Sequence, residues 1–119
     1  MKHSSEFLEI VDDAKGRITE VSVENARERM AEGAALIDVR EDNEWEAGHA
    51  KGALHLGRGI IERDIVERFP DKATEMVLYC GGGFRSALSA DMLQKMGYTK
   101  VSSMIGGWKA WNEGGGEVE

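Results

Sequence analysis

Apolar residues recur along the chain with two spacings, and each spacing predicts a different element. Residues three or four positions apart predict helices at residues 4–14, 22–33, 59–69 and 86–96, with shorter helices around residues 43–46 and after Gly107. Short apolar runs predict strands at residues 18–21, 35–39, 76–79 and 101–105. Strands that alternate with helices in this way are typical of an α/β fold, in which helices cover both faces of a parallel sheet.

The pattern divides the chain into three segments. We expect an amphipathic helical extension over residues 1–17, a main domain over residues 18–114 and a frayed tail over residues 115–119. Chain ends that no apolar pattern ties down are usually poorly ordered. The length of 119 residues suits one folded domain with its own core.

The formal net charge of −7 limits the partners that the protein can take. We expect neither a nucleic-acid nor a membrane partner, because nucleic acids and acidic membranes also carry negative charge. A small anionic substrate therefore has to be captured by a local positive field. The first residues contain no apolar segment typical of a signal peptide, so we expect a cytoplasmic protein.

Cys80 is the single cysteine of the chain. One thiol excludes a disulfide within the chain, a CxxC redox pair and a zinc or iron–sulfur site built from several cysteines. His49 and His55 lack helical spacing and an evident third ligand, so we expect no metal. A lone cysteine is either a small buried apolar residue or a reactive group, and its sequence neighbours decide between the two.

Cys80 follows the predicted strand 76–79 and precedes three consecutive glycines and a predicted helix. Glycines allow a backbone to curl so that several N–H groups converge on one point, and at a helix N-terminus such groups stabilise a thiolate. Arg85 adds a positive charge, and no acidic residue lies between Glu75 and Asp91. Ligands of α/β sheets bind beyond the carboxyl ends of the strands, which is where Cys80 lies. This position, the glycine curl and the charge of Arg85 together predict that Cys80 is a nucleophile.

This arrangement resembles the rhodanese family, whose active-site loop commonly has the pattern C-x-x-G-x-R-S. Residues 80–86 (CGGGFRS) match that pattern. Further motifs resemble the family's signature in the family's order: residues 36–41 (LIDVRE), 44–45 (EW), 48–49 (GH), 52–56 (GALHL) and 106–108 (GGW). Ala50 and Lys51 depart from the pattern, which commonly has an apolar residue and proline there, and Gly57 stands where proline often follows.

The resemblance implies a three-layer rhodanese-like fold, a small parallel sheet with helices on both faces, and sulfurtransferase chemistry. Cys80 would attack the outer sulfur of a donor such as thiosulfate, hold it as a persulfide and yield it to a thiol or cyanide. The residues implied to hold the donor and the persulfide are Gly81, Gly82, Gly83, Phe84, Arg85 and Ser86. Arg85 would either orient the donor or brace the loop, since its guanidinium suits both roles. No cofactor is implied beyond the transient persulfide.

A single cysteine leaves no internal thiol to take the sulfur away. The expected partners are therefore a small anionic sulfur donor and an external acceptor, which is a small thiol, cyanide or the cysteine of another protein. We expect a monomer rather than a dimer.

Five further residues are expected to support the site. Asp38 and Arg40 lie two positions apart at a strand end, and we expect an ion pair or a loop brace rather than a substrate contact. The resemblance implies that His49 hydrogen-bonds within its loop. Arg58 either lines the pocket mouth or is a solvated surface residue, and Trp108 either packs or walls the pocket.

Two other functions are left open. Cysteine phosphatases and arsenate reductases also place a cysteine, a loop and an arginine at a helix N-terminus, typically with one more intervening residue than the run 81–84 between Cys80 and Arg85. The shorter loop suits a sulfur atom better than a tetrahedral phosphate. The other alternative is a noncatalytic rhodanese-like module that binds a partner. Such modules often lack the cysteine, which this chain retains.

Overall fold

Five parallel strands form the sheet at the centre of the fold in the computed structural model, which describes residues 3–119. The strands are β1 (Thr19–Val21), β2 (Ala35–Asp38), β3 (Leu54–His55), β4 (Met76–Tyr79) and β5 (Val101–Met104). Their order is β1-β5-β4-β2-β3, so β4 lies in the middle with a parallel neighbour on each side. Every residue of β4 is buried, as expected for a strand that is covered on both faces.

Helices cover both faces of this sheet, as predicted. They are α1 (Ser5–Lys15), α2 (Val23–Ala31), α3 (Asp42–Ala47), α4 (Ile61–Arg68), α5 (Phe84–Lys95) and α6 (Gly107–Glu113). Residues of α4 and α5 pack on one face, and residues of α2 and α6 pack on the other. The extension predicted over residues 1–17 adds α1 to the outside of α5. Met1 and Lys2 of that extension lie outside the described residues.

Serine side chains cap the N-termini of the first two helices. Ser4 accepts a hydrogen bond from the N–H of Phe7, and Ser22 accepts one from the N–H of Asn25, both at 3.1 Å. These contacts satisfy N–H groups that have no partner in the first turn of a helix. The helix start predicted at Ser22 is therefore confirmed.

The helix that follows Cys80 begins at Phe84, two residues earlier than the predicted Ser86. The reason is Gly83, whose φ of 101° lies in the left-handed region that glycine adopts without strain. Gly83 turns the chain sharply, so that Phe84, Arg85 and Ser86 form the first turn of α5. The connection between β4 and α5 consequently shrinks to residues 80–83.

The C-terminal tail is tied down, which corrects the expectation that residues 115–119 fray. Val118 forms an antiparallel bridge with Ala50. The carbonyl of Glu117 accepts hydrogen bonds from the Trp111 indole at 2.8 Å and from the Lys51 N–H at 2.9 Å. Lys51 stands where the rhodanese pattern commonly has proline, which has no N–H to donate. This departure therefore supplies a backbone contact that holds the tail.

Candidate active site

The sulfur of Cys80 lies at the N-terminus of α5, directly after β4. It accepts hydrogen bonds from the N–H of Gly83 at 3.1 Å and from the N–H of Ser86 at 3.3 Å. Gly83, the N-cap residue, has no side chain to cap the helix, so the sulfur takes the place of a capping oxygen. Two N–H groups and the positive end of a helix thus face one sulfur atom, which stabilises negative charge there.

The first two glycines of the loop make no such contact with the sulfur. The sequence implied that residues 81–86 all hold the reacting group, whereas among them only Gly83 and Ser86 donate backbone hydrogen bonds to Cys80. Within the described residues the N–H groups of Gly81 and Gly82 donate no hydrogen bond. They therefore remain available to a bound anion or to a second sulfur atom.

Two buried hydroxyl groups lead to the same sulfur. The hydroxyl of Ser86 lies 3.5 Å from the Cys80 Sγ and 2.8 Å from the hydroxyl of Ser103 in β5. Both serines are fully buried. When Ser103 donates to Ser86, the Ser86 proton is directed at the sulfur. Ser103 therefore positions Ser86, a role that sequence reasoning missed because a serine in a buried strand carries no local signal.

The backbone of Cys80 is held by the double glycine that precedes Trp108. The N–H of Trp108 donates to the Cys80 carbonyl at 2.7 Å, and the N–H of Lys109 donates to the Gly81 carbonyl at 3.3 Å. This approach requires glycine at position 107, because a Cβ there would lie 2.2 Å from the Cys80 oxygen. Gly107 thus fixes the position of the cysteine.

Gly107→Ala is expected to lower the free energy of unfolding by about 3 kcal/mol or more, since the new methyl group displaces the Cys80 carbonyl. Denaturant unfolding of the variant and the wild type measures the difference. Gly115→Ala is the matched control, because Gly115 also has a positive φ, 73°, but no atom within 4 Å of its Cβ position. Equal losses in the two variants would show that backbone strain alone is responsible.

Arg85 is paired with Glu44 rather than standing alone beside the sulfur. Its guanidinium donates to the two carboxylate oxygens of Glu44 at 2.7 and 3.1 Å. The bond to Arg85 holds the pKa of Glu44 below its usual range, and the bond to Glu44 raises the pKa of Arg85. The sequence has no acidic residue near Arg85 along the chain, but α3 brings the Glu44 carboxylate to the loop from a distant part of the sequence. Arg85 is braced by Glu44, and its other N–H groups remain for a ligand.

A pocket of about 540 Å³ opens above Cys80. It is lined by His3, Phe7, Glu44, Arg58, Cys80, Gly82, Phe84 and Arg85. Cys80 is only 1% exposed, so its sulfur is reached by a group that enters this pocket. The predicted residues Cys80, Gly82, Phe84 and Arg85 are therefore brought together. The N-terminal extension adds His3 and Phe7, which the sequence did not predict for the site.

Asp38 and Arg40 form the buried ion pair that their spacing predicted. Nη2 of Arg40 lies 2.8 Å from a carboxylate oxygen of Asp38 and 2.7 Å from the carbonyl oxygen of Gly48. The Arg40 side chain is 3% exposed and that of Asp38 is fully buried. Neither residue lines the pocket above Cys80. The pair therefore braces the chain beyond β2.

The other supporting residues divide between packing and the pocket. His49 stacks on Trp45 with ring centroids 3.4 Å apart, and its Nδ1 lies 3.1 Å from the Trp45 carbonyl oxygen. The ring of Trp108 lies 4.6 Å from the Arg40 guanidinium and is not among the residues that line the pocket, which favours the packing role. Arg58 is exposed to solvent and also lines the pocket, so it has the features of both alternatives considered for it.

Residues 3–119 contain neither a membrane-spanning helix nor a cluster of metal ligands. No helix in this part of the chain is long and apolar enough to cross a membrane. No group of three or more His, Cys, Asp or Glu side chains in the same residues is arranged to hold a metal ion.

Comparison with known sequences gives a family and several relatives. The rhodanese-like domain family matches residues 22–114. The uncharacterized protein YqhL of Bacillus subtilis is 38% identical over 86 residues, which cover 72% of this chain and 64% of that protein. Thiosulfate sulfurtransferase GlpE of Haemophilus influenzae is 34% identical over 92 residues, which cover 77% of this chain and 86% of that protein.

Two solved structures match nearly the whole chain, including the N-terminal extension. One is a Rhodopseudomonas palustris protein of unknown function described as a possible tyrosine phosphatase, with a TM-score of 0.84, 28% identity and coverage of 100% of this chain and 98% of its own. The other is the homodimeric polysulfide-sulfur transferase of Wolinella succinogenes, with a TM-score of 0.83, 27% identity and coverage of 97% and 88%.

The matched residues include the Cys80 loop and the glycine pair beneath it. The sheet, its two helical layers and the cysteine at the carboxyl end of the central strand agree with that match. This chain therefore belongs to the rhodanese-like domain family, as its motifs predicted.

Proposed function

We propose that this protein is a sulfurtransferase that takes a sulfane sulfur from thiosulfate or a similar anionic donor and carries it as a persulfide on Cys80. The observation that carries the proposal is the position of the Cys80 sulfur, which receives the N–H groups of Gly83 and Ser86 at the start of α5. The relation to the thiosulfate sulfurtransferase GlpE supports thiosulfate as a donor.

In the first half of the reaction the Cys80 thiolate attacks the outer sulfur of thiosulfate. A bond forms between the two sulfur atoms, the S–S bond within thiosulfate breaks, and sulfite leaves with its electron pair. The cations that line the pocket, Arg58 and Arg85, offset the charge of the donor and of the departing sulfite. The N–H groups of Gly81 and Gly82, which donate to no other group in the described residues, would hold the terminal sulfur of the persulfide.

In the second half an external acceptor attacks the terminal sulfur and restores the Cys80 thiolate. Cyanide would leave as thiocyanate, and a thiol would leave as a persulfide. The acceptor has to come from outside because the chain contains no second cysteine. A thiol that works in this way suits a reducing compartment, and we place the protein in the cytoplasm.

Phosphatase activity is the second candidate, because one structural relative is described as a possible tyrosine phosphatase. The length of the loop weighs against it. Only residues 81–84 separate Cys80 from Arg85, one residue fewer than is typical of cysteine phosphatases, and this shorter loop suits a single sulfur atom better than a tetrahedral phosphate.

The purified protein is expected to form thiocyanate from thiosulfate and cyanide, and to leave p-nitrophenyl phosphate intact. Both substrates are assayed with the same preparation. Hydrolysis of the phosphoester without sulfur transfer would replace the proposal with a phosphatase. If neither activity is found and thiosulfate leaves Cys80 unmodified, the noncatalytic module is the correct alternative.

A further inference from the structure

The pocket above Cys80 has two chemically different linings. Its charged lining consists of Glu44, Arg58 and Arg85, and its aromatic lining consists of His3, Phe7 and Phe84. We call the second set the aromatic wall. Thiosulfate is a small dianion that is polar throughout, so it uses the charged lining and gains nothing from the aromatic wall.

The aromatic wall is built from two parts of the chain. The ring of Phe84 is edge-on to the ring of His3, with centroids 4.8 Å apart, and edge-on to Phe7 at 6.3 Å. His3 and Phe7 are 5.1 Å apart. Both belong to the N-terminal extension, which precedes the residues 22–114 matched by the family. The part of the wall that His3 and Phe7 supply therefore lies outside the residues matched by the family, whereas Phe84 lies inside them.

The extension is docked firmly enough to place these rings. Val11 and Ala14 of α1 are 1% exposed and pack against α5. Just after α1, Arg17 donates to the carboxylate of Asp91 in α5 at 2.7 and 3.0 Å. This carboxylate is almost completely buried, and the contact fixes the end of α1 against α5, the helix that follows the Cys80 loop.

This packing leaves part of the surface of the rings uncovered. Phe7 and Phe84 remain half-buried, and part of each faces the pocket. A volume of about 540 Å³ exceeds what an anion of a few atoms needs and falls in the range of about 300–1,000 Å³ that is usual for organic ligands. Apolar surface beside a reactive atom binds the apolar part of a ligand whose polar part reacts.

We propose that the aromatic wall is a specificity subsite for sulfur donors that carry an apolar group on their anionic head, namely organic thiosulfonates, R–SO₂–S⁻. The proposal rests on the sulfurtransferase function proposed above. The outer sulfur of the donor reaches Cys80, the sulfonyl oxygens face Arg58 and Arg85, and R contacts Phe7 and Phe84. Cys80 forms a bond to the outer sulfur, the S–S bond of the donor breaks, and the sulfinate R–SO₂⁻ leaves with the electron pair.

Benzenethiosulfonate and methanethiosulfonate test this subsite because they share the reacting group and differ in R. The ratio of their kcat/KM values is measured for the wild type, Phe7→Ala, Phe7→Leu and Ile10→Ala. Phe7→Ala is expected to lower the benzene-to-methane ratio about fivefold, and Phe7→Leu to lower it less. Ile10→Ala is the matched control: Ile10 is on α1, 52% exposed and outside the pocket, so the ratio should stay at the wild-type value.

Binding of benzenesulfinate, the leaving group, tests the subsite without turnover. Titration calorimetry uses Cys80→Ser protein with and without Phe7→Ala, and the second substitution is expected to raise the Kd about fivefold. The subsite would be overturned if Phe7→Ala lowered kcat/KM equally for both donors, or if it left the Kd of benzenesulfinate unchanged. Phe7 would then be a packing residue. A protein that transfers no sulfur but shows the Kd difference would contradict the proposed function and retain the subsite.

Discussion

Replacing Cys80 by serine is expected to lower thiocyanate formation from thiosulfate and cyanide by about 10³-fold or more. A serine hydroxyl is a weak nucleophile that stays protonated, and it forms no persulfide. The protein should still fold, because serine is close to cysteine in size and its oxygen accepts the same N–H groups of Gly83 and Ser86. Sulfite release and thiocyanate formation measure the loss.

A second serine provides the control for this substitution. Ser89 is buried in α5, and its hydroxyl has no hydrogen-bond partner among the described residues. Ser89→Ala therefore removes an unpaired group and should keep sulfur transfer within about twofold of the wild type. Appreciable turnover by Cys80→Ser would mean that the sulfur passes directly from donor to acceptor.

Arg85→Ala is expected to lower kcat/KM for thiosulfate about 10²-fold. The substitution removes a cation that lines the pocket and leaves the Glu44 carboxylate unpaired, where it repels the dianion. Arg63→Ala is the matched control, because it changes the net charge equally at a side chain that is 72% exposed and does not line the pocket. Steady-state kinetics with varied thiosulfate separate the effect on KM from that on kcat.

Glu44→Gln distinguishes the two roles weighed for Arg85. If Arg85 acts on the donor, removing the negative charge of Glu44 frees the Arg85 guanidinium to bind thiosulfate, and KM for thiosulfate should fall about threefold. If Arg85 only braces the loop, Glu44→Gln should impair the protein much as Arg85→Ala does. We expect the first result, since Arg85 keeps N–H groups that Glu44 does not use.

The sheet and its helices could be predicted because their signals are local. The run at residues 76–79 is apolar throughout and forms the buried central strand as predicted. β3 was missed because Leu54–His55 contains too few residues to form an apolar run. The tail was missed because backbone hydrogen bonds such as that from Lys51 to Glu117 leave no pattern in the side chains.

The nucleophile could also be predicted from its neighbours, whereas its distant partners could not. Cys80 and its glycines are consecutive, so their geometry follows from a short stretch of sequence. Glu44 comes from α3 and Ser103 from β5, and only the fold brings them to the loop. Glu44 does belong to an upstream motif of the resemblance. A carboxylate in that motif and a single arginine in the loop were the signal from which the contact between Glu44 and Arg85 could have been predicted.

The central claim is that Cys80 carries the transferred sulfur, and the intact mass of the protein after incubation with thiosulfate tests it most directly. The wild type is expected to gain the mass of one sulfur atom, located at Cys80 by peptide mapping, and to lose it again when cyanide is added. Cys80→Ser is expected to gain nothing. An unchanged wild-type mass, or the same gain in Cys80→Ser, would contradict the persulfide mechanism.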